Sequence, residues 1–222
     1  MILVECREIE KEYQDGSLAV KAIEKISLTI SKGDYLAITG PSGSGKTTLI
    51  NLIGALTLPT EGEVIIKGKK TTQLSSSELA DIRRNEIGYI FQLPNLIPSL
   101  SVIENVEIPL ILQRITRQQR LKLSRLALEE VNLLDRLAYY PYQLSGGEQQ
   151  RVAIARAIVH SPEMILCDEP TGSLDYETSS SIEEILRNLN INGHTIVMVT
   201  HDLLLASRTK KNIKLKDGKI IN

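Results

Sequence analysis

The nine residues GPSGSGKTT, from Gly40 to Thr48, have the composition and spacing of a phosphate-binding loop. Glycines let successive backbone N–H groups turn toward an anion, the Lys46 ammonium adds a positive charge, and the Thr47 hydroxyl can bind Mg²⁺. An apolar run precedes the loop and a helical pattern follows it, which is the context that such a loop requires. The stretch therefore predicts a site for phosphates and Mg²⁺.

Two adjacent carboxylates indicate chemistry on those phosphates. Asp168 and Glu169 follow the apolar residues 164–167, so they lie at the predicted carboxyl end of a buried strand. An Asp beside a phosphate loop can hold Mg²⁺ through its water shell, and the next carboxylate can polarise an attacking water. Standing alone, such acids would be solvated residues at a strand end. Their presence in one chain with the loop favours the catalytic interpretation.

Three further side chains have two interpretations each. Gln92 and His201 each follow an apolar run. They are either ordinary strand ends or groups that approach a γ-phosphate, Gln92 through Mg²⁺ or water and His201 as a hydrogen-bond donor. Tyr13 either stacks on adenine or packs on a sheet edge. The residues alone leave these alternatives open.

The elements that position these residues have an α/β pattern. Residues 3–13 and 21–30 cluster β-forming residues and precede the turn SKGD, which predicts an antiparallel sheet near the N-terminus. Later strands alternate with helices, which predicts a mostly parallel sheet. The predicted later strands are residues 35–40, 62–69, 87–92, 163–169 and 194–202, and the predicted helices beside them are residues 46–56 and 178–189.

The spacing of apolar residues becomes helical between about Leu93 and Val159. This change predicts an inserted helical subdomain, residues 93–159, within a core formed by residues 1–92 and 160–222. The insertion contains LSGGEQQR, whose glycines stand at the start of a predicted helix, where unpaired N–H groups attract anions. Its apolar helical positions include Leu123, Leu126, Leu133 and Leu134.

Composition limits the classes of partner. The 222 residues are 42% hydrophobic, enough for one core with an attached subdomain, and a formal net charge of -1 gives no overall basic field for nucleic acid. No apolar run approaches the roughly 20 residues of a membrane helix, and no secretion signal is expected. Two cysteines are too few for a disulfide framework, and Cys167 is predicted to be a core residue in a protein of the reducing cytoplasm.

LSGGEQQR resembles the signature motif of ATP-binding cassette (ABC) proteins. Its order with GPSGSGKTT, Gln92, ILCDEP, GSLD and His201 is similar to that family over nearly the whole chain. The resemblance implies a RecA-like P-loop core that hydrolyses ATP with Mg²⁺. It also implies a homodimer with two ATP molecules, each held between the phosphate loop of one subunit and the signature of the other. Many signatures have Gln where this chain has Glu148, a small departure.

The resemblance implies a role for each matching residue. Glu169 is the catalytic base, His201 the γ-phosphate switch, and Lys46 a phosphate ligand. Thr47, Gln92 and Asp168 belong to the Mg²⁺ site, and Gln92 also to the loop that couples to the membrane. The residues implied in nucleotide binding are Tyr13, Gly40, Pro41, Ser42, Gly43, Ser44, Gly45, Lys46, Thr47 and Thr48, with Ser145, Gly146, Gly147 and Glu148 acting in trans and Asp175 at the dimer seam.

Residues 87–110 together with 54–64 are similar to the ATPases of the lipoprotein-releasing and macrolide-export type. This similarity implies an integral membrane permease as partner and a position on the inner face of the cell membrane. Similar cassettes serve peptide resistance and cell division, so no substrate is implied. Residues 93–110 either pack the helical insertion or expose an apolar patch for the permease's coupling helix.

Two rival functions and one surface feature complete the predictions. A soluble ABC ATPase acting on nucleic acid or ribosomes typically has two cassettes or a long coiled coil, and a small-molecule P-loop kinase would have no use for LSGGEQQR. Nucleic acid is therefore not an expected partner. A basic run is either a solvated helix face or lies near anionic lipid head groups. The run consists of Arg114, Arg117, Arg120, Lys122 and Arg125.

Overall fold

The structure, a computed structural model, describes residues 1–15 and 18–221. Their contacts divide the chain into two compact units. The first unit comprises Met1–Arg83 with Thr195–Asn222, and the second comprises Arg84–His194. No helix among the described residues combines the length and apolarity needed to cross a membrane.

Strands and helices alternate along much of the chain. The strands are β1 (Ile2–Asp15), β2 (Leu18–Ser31), β3 (Tyr35–Thr39), β4 (Glu61–Ile66), β5 (Lys69–Lys70), β6 (Ile87–Ile90), β7 (Met164–Asp168), β8 (Thr195–Val199), β9 (Lys211–Lys216) and β10 (Lys219–Ile221). The helices are α1 (Lys46–Ile53), α2 (Ser76–Glu86), α3 (Val102–Leu112), α4 (Arg117–Glu130), α5 (Gly146–Ile158), α6 (Tyr176–Ile191) and α7 (Leu203–Ser207).

The first unit contains the antiparallel sheet that the N-terminal sequence predicts. Its strand order is β2-β1-β4-β5, with β1 antiparallel to both of its neighbours. The inner face carries buried aliphatic side chains, including Val4, Ile9 and Ile26. The predicted strand over residues 62–69 is interrupted, because Lys67 and Gly68 adopt positive φ and form the turn between β4 and β5.

A second sheet of this unit positions the phosphate loop. Within this unit, the strand order of that sheet is β10-β9-β3-β8, with β3 parallel to β8 and β9. Every residue of β3 and β8 is buried, which is why both strands read as continuous apolar runs. The prediction of a helix from residue 46 to residue 56 was wrong at its end. Helix α1 stops at Ile53, because Gly54 caps it and Ala55 takes a left-handed φ of 53°.

In the second unit, β6 and β7 are parallel neighbours, with Ile87 opposite Met164 and Ile90 opposite Cys167. Three helices, α3, α4 and α5, lie within residues 93–159, where the sequence predicts helical structure. Cys167 is fully buried with a free thiol, as predicted for a core residue.

The apolar positions named for the helix around residue 125 are only partly buried. Helix α4 ends at Glu130, and its buried positions are Ser124, Ala127 and Leu128. Leu126 is 47% exposed, while Leu133 is buried beyond the helix end. Ser124 and Ala127 face the core together with Leu128, so the positions of the leucines alone do not identify the buried face.

Helix α2 and the hairpin of strands β9 and β10 had no prediction. Helix α2 buries only Leu79 and Ile82, which is too few apolar positions for a clear helical period. Strands β9 and β10 form an antiparallel hairpin rich in lysine, and few of its residues are buried. Such half-exposed edge strands carry a weak sequence signal.

Candidate functional site

The phosphate loop lies in the first unit, between buried strand β3 and helix α1. The Lys46 side chain is buried and its ammonium donates to the carbonyl oxygens of Gly40 and Pro41, at 3.0 and 2.9 Å. These bonds hold the ammonium across the loop rather than in solvent. The charge is therefore positioned before any phosphate arrives, which reduces the reorganisation that binding requires.

Two glycines of the loop are required by backbone conformation and by close approach. Gly40 has φ 148° and Gly45 has φ 100°. A Cβ at Gly40 would collide with the Leu215 carbonyl oxygen, and a Cβ at Gly45 with the Ala22 carbonyl oxygen. Because the obstructing atoms belong to the backbone, a larger residue could be accommodated at neither position without moving the fold.

One polar atom in the loop fits the expected ligand. The Ser44 side chain is 2% exposed, and its hydroxyl oxygen has no hydrogen-bond partner among the described residues. A buried hydroxyl without a partner is costly, so it indicates a ligand that accepts or donates there. The cradle of glycines, the held ammonium and this hydroxyl together suit the phosphates of a nucleotide.

Tyr13 and His201 also lie in the first unit. Tyr13 is paired with Val20 across β1 and β2, and its ring is 42% exposed with the Lys11 ammonium 5.2 Å from the ring centroid. Its ring is thus not buried in the core, which is compatible with stacking on adenine and with a position on the sheet edge. His201 is exposed immediately after the buried residue Thr200, at the carboxyl end of β8.

In the second unit, the structure brings Gln92 and Glu169 together around Gly172. A Cβ at Gly172 would lie 3.2 Å from Gln92 Nε2 and 3.3 Å from Glu169 Oε2. Glu169 has a left-handed φ of 51°, an uncommon conformation for a glutamate. Sparsely populated backbone conformations of this kind cluster at active sites. There they can orient a side chain in a direction that regular strand geometry would not give it.

The signature residues form the start of helix α5. Ser145 is its N-cap, and its hydroxyl accepts a bond from the Glu148 N–H at 3.2 Å. The Glu148 carboxylate in turn accepts from the Ser145 N–H at 2.9 Å, which completes a capping box. This bond is the main reason that the pKa of Glu148 lies below its ordinary value. Arg136 lies 3.4 Å from the same carboxylate and partly balances its charge.

The signature also lies against the turn that contains Asp175. A Cβ at Gly147 would collide with the Thr178 methyl carbon, so this glycine allows α5 and α6 to approach closely. Asp175 is the N-cap of α6, and its carboxylate accepts bonds from the N–H and the hydroxyl of Thr178 at 3.0 and 2.7 Å. These bonds lower the pKa of Asp175. Sequence reasoning missed Thr178 and Arg136, although the Ser145–Glu148 spacing predicts the cap.

The described residues contain no cluster of three His, Cys, Asp or Glu side chains that could hold a metal ion. This finding is compatible with Mg²⁺, which typically keeps several waters and uses one or two protein ligands plus substrate phosphates. Thr47, Gln92 and Asp168, which the sequence resemblance implies in Mg²⁺ binding, each carry a side-chain oxygen of the kind that Mg²⁺ prefers.

Comparison with known proteins gives one consistent family. The ABC transporter family pattern matches residues 23–172. An uncharacterised ABC transporter ATP-binding protein of Methanocaldococcus jannaschii is 45% identical over 99% of this chain and 98% of its own length. The macrolide export ATP-binding/permease protein MacB of Aggregatibacter actinomycetemcomitans is 45% identical over 100% of this chain. The chain spans 34% of the length of that MacB protein.

Solved structures give the same result. A dimeric structure of the bacterial ABC transporter cassette MJ0796 has a TM-score of 0.91 and 44% identity, covering 99% of this chain and 97% of that one. A second dimeric structure of that cassette, in a post-hydrolysis state with ADP and Pi, has the same TM-score and identity. The predicted α/β fold, with an antiparallel β region and inserted helices, is confirmed.

Proposed function

The chain belongs to the ABC transporter family and is an ATP-hydrolysing cassette, and we propose that it works as a homodimer that drives a separate integral membrane permease. The observation that carries this proposal is the pair of glycine-containing helix starts. The phosphate loop precedes α1 in one unit, and the capped signature begins α5 in the other. ATP would bind between the loop of one subunit and the signature of its partner.

The residues of each half-site have separable tasks. Lys46 and the loop N–H groups bind the phosphates, and Tyr13 stacks on adenine. Thr47, Gln92 and Asp168 would hold Mg²⁺, which when bound neutralises phosphate charge. Glu169 orients and polarises the attacking water, and His201 donates a hydrogen bond to the γ-phosphate. Ser145 and the N–H groups that begin α5 contact the same phosphate from the partner subunit.

Exposed apolar side chains support a membrane partner. Phe91, Leu93 and Ile97 are all exposed, on the segment that follows strand β6. We propose that this segment receives the permease, which would place the cassette on the inner face of the cell membrane. The name of the MacB relatives supports an export system. The division into a core of residues 1–92 and 160–222 and a signature-bearing subdomain of residues 93–159 stays part of this proposal.

Replacing the proposed base tests the assignment of Glu169. Glu169→Gln keeps the shape of the side chain but removes its charge, so we expect ATP hydrolysis to fall by about 10²-fold or more. ATP-bound dimer should accumulate, which size-exclusion chromatography with ATP would show. Glu184→Gln, an exposed position on α6, is the matched control. Hydrolysis by Glu169→Gln at the control's rate would contradict the assignment.

Mixing two defective chains tests the shared site. Lys46→Ala disables the phosphate loop and Ser145→Arg blocks the signature, so each variant alone is expected to be inactive. A mixed dimer has one site with both defects and one site with neither, and it should therefore recover part of the hydrolysis. An inactive mixture that nevertheless forms mixed dimers would contradict binding in trans.

Stimulation of ATP hydrolysis by DNA or RNA, with no stimulation by a membrane subunit, would contradict the transport assignment.

A further inference from the structure

The segment 91–97 is tied along its backbone to the signature helix. Gln150 of α5 donates from Nε2 to the Phe91 carbonyl at 3.0 Å. Arg156, further along the same helix, donates to the carbonyls of Pro94 and Asn95 at 2.6 and 2.9 Å. The two side chains are separated by about 9 Å along the helix axis. The segment therefore runs beside α5 and is held at two well-separated points.

A third side chain fixes the far end of the segment. Asn105 of α3 is fully buried, accepts from the Ile97 N–H at 2.7 Å and donates to the Ile97 carbonyl at 3.1 Å. Between the ties, Asn95 has a left-handed φ of 48°, and the Arg156 bond fixes its carbonyl. Hydrogen bonds from side chains to the backbone at both ends thus fix the path of this irregular segment.

Whereas the backbone of this segment is held by hydrogen bonds, its apolar side chains are exposed. Leu93 is 63% exposed, and Phe91 and Ile97 are also exposed. The polar ties are sheltered by comparison: Gln150 is 1% exposed, and burial lowers the pKa of the Arg156 guanidinium. Buried polar side chains thus bond the backbone of the segment, while its apolar side chains lie in solvent. This arrangement fits a surface that binds a partner better than a segment that packs in the core.

The ties also limit how the segment can move. Both Gln150 and Arg156 belong to α5, whose first turn contains Gly146, Gly147 and Glu148. A helix of this length is a rod of about 20 Å, so a displacement at its start moves its whole length. Gln150 lies only two residues beyond Glu148, and Arg156 lies near the other end.

We propose that Gln150 and Arg156 are positioning residues that fix the permease-facing segment 91–97 to the signature helix, so that nucleotide contact at Ser145 and movement of the segment are one motion. The inference rests on the proposed function, in which Ser145 contacts ATP of the partner subunit. Neither side chain touches nucleotide in this scheme. Their role is to transmit the position of one end of α5 to residues about 60 positions earlier in the chain.

A single tryptophan can report the movement, because the chain has no tryptophan of its own. The reference protein is Leu93→Trp combined with Glu169→Gln, which should dimerise with ATP without turnover. Arg156→Met and Gln150→Leu are then introduced separately. Arg187→Met, an exposed arginine on α6, is the matched control. Dimerisation is measured by sedimentation, and the environment of the segment by indole emission with and without ATP.

We expect all these proteins to dimerise with ATP and the reference and Arg187→Met to show a shift in indole emission. In Arg156→Met and Gln150→Leu the shift should be lost although the dimer forms. Hydrogen exchange at the Asn95 and Leu96 amides should become about fivefold faster for each lost bond, while ATP still protects residues 145–148. Loss of the shift without loss of dimerisation is a result that general destabilisation would not produce.

The outcomes separate the inference from the proposed function. A full emission shift in Arg156→Met and Gln150→Leu, or none in the reference dimer, would overturn the inference and leave the shared ATP site intact. A reference protein that never dimerises with ATP would overturn the shared site, and the inference with it. If Arg156→Met does not fold, Arg156→Lys serves instead. Its single ammonium replaces the two guanidinium nitrogens that donate to Pro94 and Asn95, so the bonds are weakened but the positive charge is kept. An intermediate shift is then expected, and a full shift contradicts the tie.

Discussion

The two glycine-containing helix starts of this protein are built in different ways. In the phosphate loop, Gly40 and Gly45 have positive φ and face backbone carbonyls, and α1 has no side-chain cap. At the signature, Ser145 and Glu148 cap α5, and Gly147 faces the methyl group of Thr178. The first is a backbone cradle, whereas the second is an ordinary capped helix start whose glycine allows close packing of helices.

This difference indicates how each site meets phosphate. The loop carries a buried Lys46 ammonium that donates to two loop carbonyls, and a buried Ser44 hydroxyl that has no hydrogen-bond partner among the described residues. At the signature, the Ser145 hydroxyl already accepts from the Glu148 N–H, so the helix start is capped before any phosphate is present, while the hydroxyl proton can still be donated. A cradle around a held ammonium suits a site that binds phosphate first, and a capped helix start suits a surface that joins it later.

The largest expected effect comes from adding a methyl group to the cradle. Gly45→Ala forces an alanine into a left-handed conformation against the Ala22 carbonyl, which should cost about 3 kcal/mol of unfolding free energy. Gly33→Ala also has positive φ, but no atom lies within 4 Å of its added Cβ, so it should cost only about 1 kcal/mol. Urea denaturation of both variants measures the difference. Equal costs would refute the backbone collision.

A smaller and reversible effect is expected at the signature. Gly147→Ala should cost about 1–3 kcal/mol, because its Cβ meets the Thr178 methyl carbon. Thr178→Ser removes that methyl group and keeps the hydroxyl that bonds Asp175, so the double variant should recover most of the loss in a double-mutant cycle. Gly146→Ala, whose added Cβ would have ordinary contact with Leu174, should be tolerated. Simple additivity of the two substitutions would show that the glycine is needed for another reason.

The smallest effect concerns pH. The pKa of Glu148 in the folded protein is lowered, so its carboxylate stabilises α5 fully at pH values above the ordinary pKa of 4.5. This stabilisation is lost as the pH falls through the lowered pKa. Glu148→Gln cannot titrate and should lose about 0.5–1 kcal/mol of stability at pH 7. The difference from wild type, measured by denaturation, should shrink toward pH 3. Glu129→Gln, at an exposed position, is the matched control. A constant difference for Glu148→Gln would exclude a charged cap.

The phosphate loop has no corresponding pH-dependent contribution, since the first turn of α1 has no acidic residue.

Most of the fold could be predicted because its signals are local. Strands β3, β7 and β8 are buried runs of apolar residues, and their polar ends marked Asp168, Glu169 and His201. The face of α4 could not be predicted, since Ser124 and Ala127 turn inward while Leu126 stays in solvent. Burial there depends on the space left by neighbouring helices, which no periodicity encodes. The assigned catalytic and binding roles stay predictions until the variants are measured.

The sequence by itself determined the family, the phosphate loop and the identity of the signature, because each is a contiguous pattern tied to backbone geometry. Only the tertiary structure decided what the residues around those patterns do. Gly147 meets Thr178, and Arg156 reaches Pro94, across 31 and 62 positions of chain. Such partners are chosen by the packing of helices and by the need to satisfy buried polar groups, and these constraints exist only once the chain has folded.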